Sequence, residues 1–221
     1  YCFADVARHP SVFCHGDKGH CGATVESMPY TFDQTLDLYE QAFGVRPTPE
    51  IHRSEYLKSI HVYCSDLLQK PATVLEIGSY TGASAFVMAC ALHGTGSRII
   101  CIDPVFITGT VVCPDVHQAW VRYDSDPRDL LFRLGRFGLA HMVSLVPGFG
   151  EAVFERWDGT MLDGIFLDGC HTEAAIAQDC KWTQFAKPGA FCAVDDWLEQ
   201  IKRGCETYFA DKQDWKLLYE S

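Results

Sequence analysis

The pattern of apolar positions changes character near Pro71. Before it, apolar residues recur at helical spacing; beyond it, short apolar runs alternate with amphipathic stretches. Phe32, Leu36, Tyr39 and Phe43 fall on one helical face, Thr31 with Gln34 can form a capping box, and Gly44 ends the run, predicting a helix from Thr31. A second helix is predicted over residues 53–70, aligning Leu57, Ile60, Cys64 and Leu67 and stopping before Pro71. The runs at 73–77 (TVLEI), 98–102 (RIICI), 142–146 (MVSLV), 161–167 (MLDGIFL) and 190–194 (AFCAV) read as buried strands. Helical patterns near 83–92, 127–137, 150–157, 172–186 and 197–210 separate or follow them. Strand–helix alternation of this kind predicts an α/β fold: a Rossmann-like, doubly wound, mainly parallel sheet covered on both faces. Residues 1–54 are expected to form a helical and irregular N-terminal extension, and 55–221 the main domain.

Composition narrows the partners. A chain of 221 residues is large enough to bury one full core. A net charge of −11 lacks the basic face that a nucleic-acid backbone requires, so a small molecule is the expected ligand. No stretch approaches the roughly 18 apolar residues of a membrane span, and the start does not resemble a signal peptide. The expected location is the cytoplasm, with no membrane partner and with homo-oligomerisation left open. Eleven cysteines, several inside apolar runs (Cys90, Cys101, Cys192), suit reduced thiols packed as small hydrophobes. Cys14, His15, His20 and Cys21 form a denser group, but their spacing matches no common zinc module, and a polar segment explains them better.

In a parallel sheet of this type ligands sit outside the carboxyl ends of the strands, so chemistry is sought there. The first strand runs into EIGSYTGASA, where Gly78 and Gly82 permit a sharp turn and close approach of a ligand to the next helix. A nicotinamide dinucleotide fingerprint would need glycine where Tyr80 stands, which argues against that cofactor. The second strand ends in Asp103, a carboxylate able to accept both hydroxyls of a ribose, or simply a solvated strand end. Together the two features favour an adenosine-type ligand. After the third strand, Gly148 and Gly150 open a helix, and Phe149 could flank a flat base or fill the core. The fourth strand ends in Asp168 with His171 close behind, and the fifth in Asp195 and Asp196. If these strands are neighbours, three carboxylates converge, and such a cluster calls for a neutralising cation. An all-oxygen, highly charged set suits Mg2+, or Mn2+ or Ca2+. The plainer reading of Asp195–Asp196 is a helix cap.

With these residues in place the chain resembles the class I S-adenosylmethionine-dependent methyltransferases. More narrowly it is similar to the metal-dependent O-methyltransferases: the catechol and caffeoyl-CoA enzymes, and the macrocin and macrolide-sugar branch. The resemblance spans about residues 55–200, through LEIGSYTGASA, CIDP, FLDGCHTEAAIAQD and KPGAFCAVDDW. It implies that Glu76, Gly78, Tyr80 and Ser84 hold the amino-acid end of S-adenosylmethionine. Asp103 would hold the ribose, Gly148 and Phe149 would border the adenine, and Asp168, Asp195 and Asp196 would bind the metal. His171 stands where the catechol-type enzymes carry a lysine base, as in the macrolide-sugar branch; the alternative for it is a capping or outer role. The implied activity is methylation of a hydroxyl on a sugar, polyol or phenol. Two other readings are a cofactor-binding protein without this catalysis, and a different metal-dependent reaction on the same scaffold.

The resemblance also raises an expectation about topology. The family's sheet closes with a reversed seventh strand beside the sixth, yet only DWKLLYES remains after the last helix, enough for one strand. Either the chain is truncated or its sheet is one strand short. The N-terminal residues, in this family often a lid over the substrate, match nothing recognisable.

Overall fold

The computed structural model describes residues 11–15, 28–48, 54–68, 70–114 and 120–219. Seven strands form the main sheet: β1 (Ser11–His15), β2 (Thr73–Ile77), β3 (Arg98–Asp103), β6 (Val143–Pro147), β7 (Leu162–Leu167), β8 (Ala186–Val194) and β9 (Trp215–Tyr219). Their spatial order is β6-β3-β2-β7-β8-β1-β9. The five strands from β6 to β8 are parallel, whereas β1 runs antiparallel to both β8 and β9. Two further strands, β4 (Thr110–Pro114) and β5 (Trp120–Asp124), form a separate antiparallel hairpin.

The helices are α1 (Phe32–Phe43), α2 (Ser54–Val62), α3 (Ala83–Ala91), α4 (Val105–Thr108), α5 (Pro127–Gly135), α6 (Gly150–Phe154), α7 (Glu173–Asp179) and α8 (Glu199–Phe209). The capping box at Thr31 forms as the sequence predicts: Gln34 N–H donates to the Thr31 hydroxyl and Thr31 N–H donates to the Gln34 side chain. The helix predicted over 53–70 is α2 followed by a π-helical turn, Tyr63–Leu67. That predicted over 172–186 is α7 followed by a 3-10 turn, Cys180–Phe185.

Strand alternation divides the core in two. Val74, Ile99, Cys101, Phe166, Phe191 and Ala193 face α1, α2, α3 and α5, where they meet Tyr39, Leu57, Phe86 and Leu130. Their neighbours along the strands, including Leu75, Ile100, Ile165 and Cys192, face the other way, towards Ile176, Trp182 and Ile201. Both faces being covered explains why β2, β3 and β7 are mostly apolar rather than alternating with polar residues. Each fully buried Leu, Ile or Phe contributes about 1.5–3 kcal/mol through removal from water. Helix α3 is apolar on every side (ASAFVMACA) because α1 and α2 pack against it from outside, with the buried Tyr39 ring edge-on to Phe86.

The closing of the sheet departs from the expected arrangement of strands. The reversed strand of the sheet is Ser11–His15, contributed from the N-terminal side of the chain and inserted between β8 and β9. DWKLLYES supplies β9 at the sheet edge. Cys14 and His15 therefore lie in a strand, while His20 and Cys21 lie outside the described residues. Among the described residues no disulfide forms, and Cys64, Cys90, Cys101, Cys180, Cys192 and Cys205 are buried thiols. No helix among these residues is long and apolar enough to cross a membrane.

Candidate functional site

Strand register sets the site. Ile102, Ile77, Leu167 and Val194 lie side by side across β3, β2, β7 and β8. The residue after each is therefore Asp103, Gly78, Asp168 or Asp195, and the four form one row along the carboxyl edge. Backbone bonds continue the ladder through this row: Gly78 N–H donates to Ile102 O (3.0 Å), Asp168 N–H to Ile77 O (2.8 Å) and Asp195 N–H to Leu167 O (3.0 Å). Gly148 joins from β6, its N–H donating to Asp103 O (3.3 Å). The strand neighbourhood assumed from the sequence is thus present, and Gly148, Asp103, Gly78, Asp168 and Asp195 lie along one edge.

The turn after β2 is held from four sides. Gly78 packs flat against the Asp168–Gly169 peptide, and a Cβ there would come within 1.9 Å of Asp168 O. Tyr80 N–H donates to Asp103 Oδ2 (2.8 Å), Ser125 Oγ donates to Tyr80 O (3.0 Å), and Arg133 Nη1 donates to Thr81 O (3.2 Å). These bonds hold Tyr80 at a φ of 44°, a conformation costing about 1–3 kcal/mol for a non-glycine residue. The Tyr80 ring also meets Tyr123 of β5 edge-on at 5.6 Å. The β4–β5 hairpin thereby buttresses the turn, a role the sequence reading missed. Its signal was the β-branched and aromatic content of TVVCP and WVRYD, five residues apart in sequence.

Glu76 is almost wholly buried and accepts a bond from the Ser84 hydroxyl through Oε1, while Oε2 has no hydrogen-bond partner among the described residues. Burial raises its pKa and the surrounding hydroxyls oppose the rise. Asp103 is also buried; burial raises its pKa, and the N–H groups of Tyr80 and Val105 (2.7 Å to Oδ1) oppose it. A carboxylate has about four acceptor positions, so Asp103 keeps capacity for a ligand's hydroxyls. Phe149 is 60% exposed at the edge beside Gly148.

At the other end of the row, His171 Nε2 lies 3.1 Å from Asp196 Oδ2 and 4.0 Å from Asp168 Oδ1. Asp196, two residues beyond the end of β8, adopts a φ of 49°. Asp195 is buried, and with Tyr56 and Asp168 it lines a narrow gap floored by Phe166, Leu167 and Ala193. Among the described residues, no three His, Cys, Asp or Glu side chains are drawn together as a finished metal site; an imidazole stands between two of the carboxylates instead. The donor chemistry, three carboxylates on adjoining strand ends, does fit a hard divalent cation.

One buried carboxylate was not singled out from the sequence. Asp179, at the end of α7, presses Oδ1 against Gly150 and Oδ2 against Gly169, so that a Cβ at either glycine would stand 2.7 or 3.0 Å away. Burial, then the charge of Glu151, raises its pKa to about 7. Its unfolded value is about 3.9. Between these values the folded state binds the proton more tightly, so stability falls as pH rises through the window and levels off above it. Asp179→Asn should remove that slope, gaining several degrees in thermal midpoint relative to the parent between pH 4 and 8. Melting curves across this range check it; a constant difference would contradict it.

A mainly parallel sheet with its polar row beyond Gly78 defines a class I methyltransferase fold. A methyltransferase-domain family matches residues 75–197, more than half of the chain. The protein belongs to that family and is a methyltransferase. Among solved structures, the O-methyltransferase NovP is similar with a TM-score of 0.59 at 15% identity, over 73% of this chain and 73% of that one. The calicheamicin methyltransferase CalS11 gives 0.53 at 15% identity, covering 88% and 90%. TomG from Streptomyces achromogenes, an O-methyltransferase of tomaymycin synthesis solved with S-adenosylmethionine, gives 0.52 at 19% identity, covering 80% and 77%. At these identities the likeness is one of fold. A search of curated proteins finds no match by sequence.

Proposed function

We propose that this methyltransferase uses S-adenosylmethionine to methylate a hydroxyl of a small metabolite (a sugar, polyol or phenol) with help from a divalent cation. The observation that carries the reading is the joint placement of Asp168, His171, Asp195 and Asp196 at the strand ends beside the Gly78–Ser84 turn. Glu76, Gly78, Tyr80 and Ser84 would hold the amino-acid end of the cofactor; Glu76 Oε2, without a hydrogen-bond partner among the described residues, supports this. Asp103 would take the ribose hydroxyls, and Gly148 with Phe149 would border the adenine. When bound, S-adenosylmethionine supplies a methyl group made electrophilic by its sulfonium.

A hydroxyl is a poor nucleophile while protonated, so the protein must take its proton. His171 would do so: an imidazole nitrogen can accept a proton, and the Asp196 carboxylate lies 3.1 Å from its Nε2. Asp168, Asp195 and Asp196 would hold Mg2+, Mn2+ or Ca2+, and such a cation lowers the pKa of a hydroxyl bound to it. Buried walls at Tyr56, Phe166 and Ala193 keep bulk water from this end of the row and strengthen its electrostatics.

Two measurements test the reading. Calorimetry should show micromolar binding of S-adenosylmethionine or S-adenosylhomocysteine, and its absence at high protein concentration would refute the cofactor. With a hydroxylated acceptor panel, chelation should cut methyl transfer at least about tenfold, restored by Mg2+. Full turnover in chelator would remove the cation and leave the methyltransferase reading intact.

A further inference from the structure

We propose that Tyr56, a residue from outside the strand-end motifs, positions Asp168 for its part in the site. The Tyr56 hydroxyl donates to Asp168 Oδ2 at 3.1 Å, while Oδ1 of the same carboxylate faces His171. Tyr56 lies on α2, and its ring belongs to the core cluster with Leu57, Ile60 and Phe166. A carboxylate at a strand end turns easily about its last torsion, which has a broad well. A phenol anchored in packed core supplies a fixed donor and loses little freedom in doing so. It selects one orientation of Asp168, with one oxygen occupied by Tyr56 and the other presented to the shared space with His171. Asp195 lines the same gap, so the bond also fixes Asp168 relative to the second strand end.

The inference rests on the reading of Asp168 as a cation ligand. Partners that orient a metal ligand change metal affinity by about 10–100-fold when removed. Tyr56→Phe deletes only the hydroxyl and keeps the ring in the core, so the fold and the cofactor edge should survive. Titration of the parent and Tyr56→Phe proteins with Mn2+, followed by electron paramagnetic resonance, is the direct test. The variant should bind Mn2+ about 10–100-fold more weakly, with S-adenosylhomocysteine affinity within about twofold of the parent. Methyl transfer should show the same split: a higher Mn2+ requirement, with kcat regained at saturating Mn2+. Equal Mn2+ affinity in the two proteins would overturn the role of Tyr56. A loss of kcat that saturating Mn2+ does not restore would overturn it too, pointing to a general packing defect. A parent protein that binds no Mn2+ would refute the cation itself and this role with it.

Discussion

His171→Ala is expected to lower kcat by about 10²–10⁴-fold, the range for loss of a general base, while KM for S-adenosylmethionine changes little. The split follows from geometry. His171 stands at the β7–β8 end of the row, 3.1 Å from Asp196 and 4.0 Å from Asp168. The turn proposed to hold the cofactor is fixed by other groups: Asp103, Ser125 and Arg133 bond to its backbone. Removing the imidazole therefore deletes the proposed proton acceptor without loosening that turn. Steady-state kinetics of the parent and the variant, with kcat and KM read separately, checks this. A parent-like rate would exclude His171 as the base.

Gly78→Ala is expected to damage both the fold and cofactor binding. At φ 89° an alanine is strained by about 1–3 kcal/mol before any contact is counted. Its Cβ would also lie 1.9 Å from Asp168 O and 2.4 Å from the carbonyl carbon, both backbone atoms in the hydrogen-bonded ladder. Neither can move without parting β2 from β7, because Asp168 N–H is bonded to Ile77 O on the other side of the same contact. The variant should melt well below the parent and bind S-adenosylhomocysteine at least about tenfold more weakly, a loss of about 1.4 kcal/mol. Thermal denaturation and calorimetry measure both. Gly44→Ala is the control: that glycine also has positive φ, 75°, but a Cβ there meets nothing within 4 Å. It should pay only the conformational strain.

Most of the parallel sheet was legible because its strands are buried on both faces and their apolar runs admit few other readings. TVLEI, RIICI and MLDGIFL appear as β2, β3 and β7 within a residue of the predicted bounds. The Thr31 cap and the Gly44 stop were legible because helix termini are satisfied by local chemistry. The β4–β5 hairpin was not, since its half-exposed strands carry no long buried run and pair with each other. Nor was β1, whose partners lie near the other end of the chain: Phe13 opposes Cys192 and Leu217. Pairing across such separations is decided by the open edge of β8, and no local pattern in SVFCH states it.

The same division holds at the site. Asp103, Asp168, Asp195 and Gly78 could be named in advance because a parallel sheet presents its strand ends on one edge, and sequence order alone says which residues come last. Tyr56 and Asp179 could not be named. Each reaches the edge from a helix, and its contact with Asp168, or with Gly150 and Gly169, depends on how that helix packs. The sequence by itself determined the strands, their polar ends and hence the inventory of the edge, since burial and chain direction act locally. The tertiary structure alone decided that the reversed strand comes from Ser11–His15, that an imidazole stands between Asp168 and Asp196, and that Tyr56 fixes Asp168. Those are relations between distant segments, set by which surfaces remain to be covered once the sheet has formed.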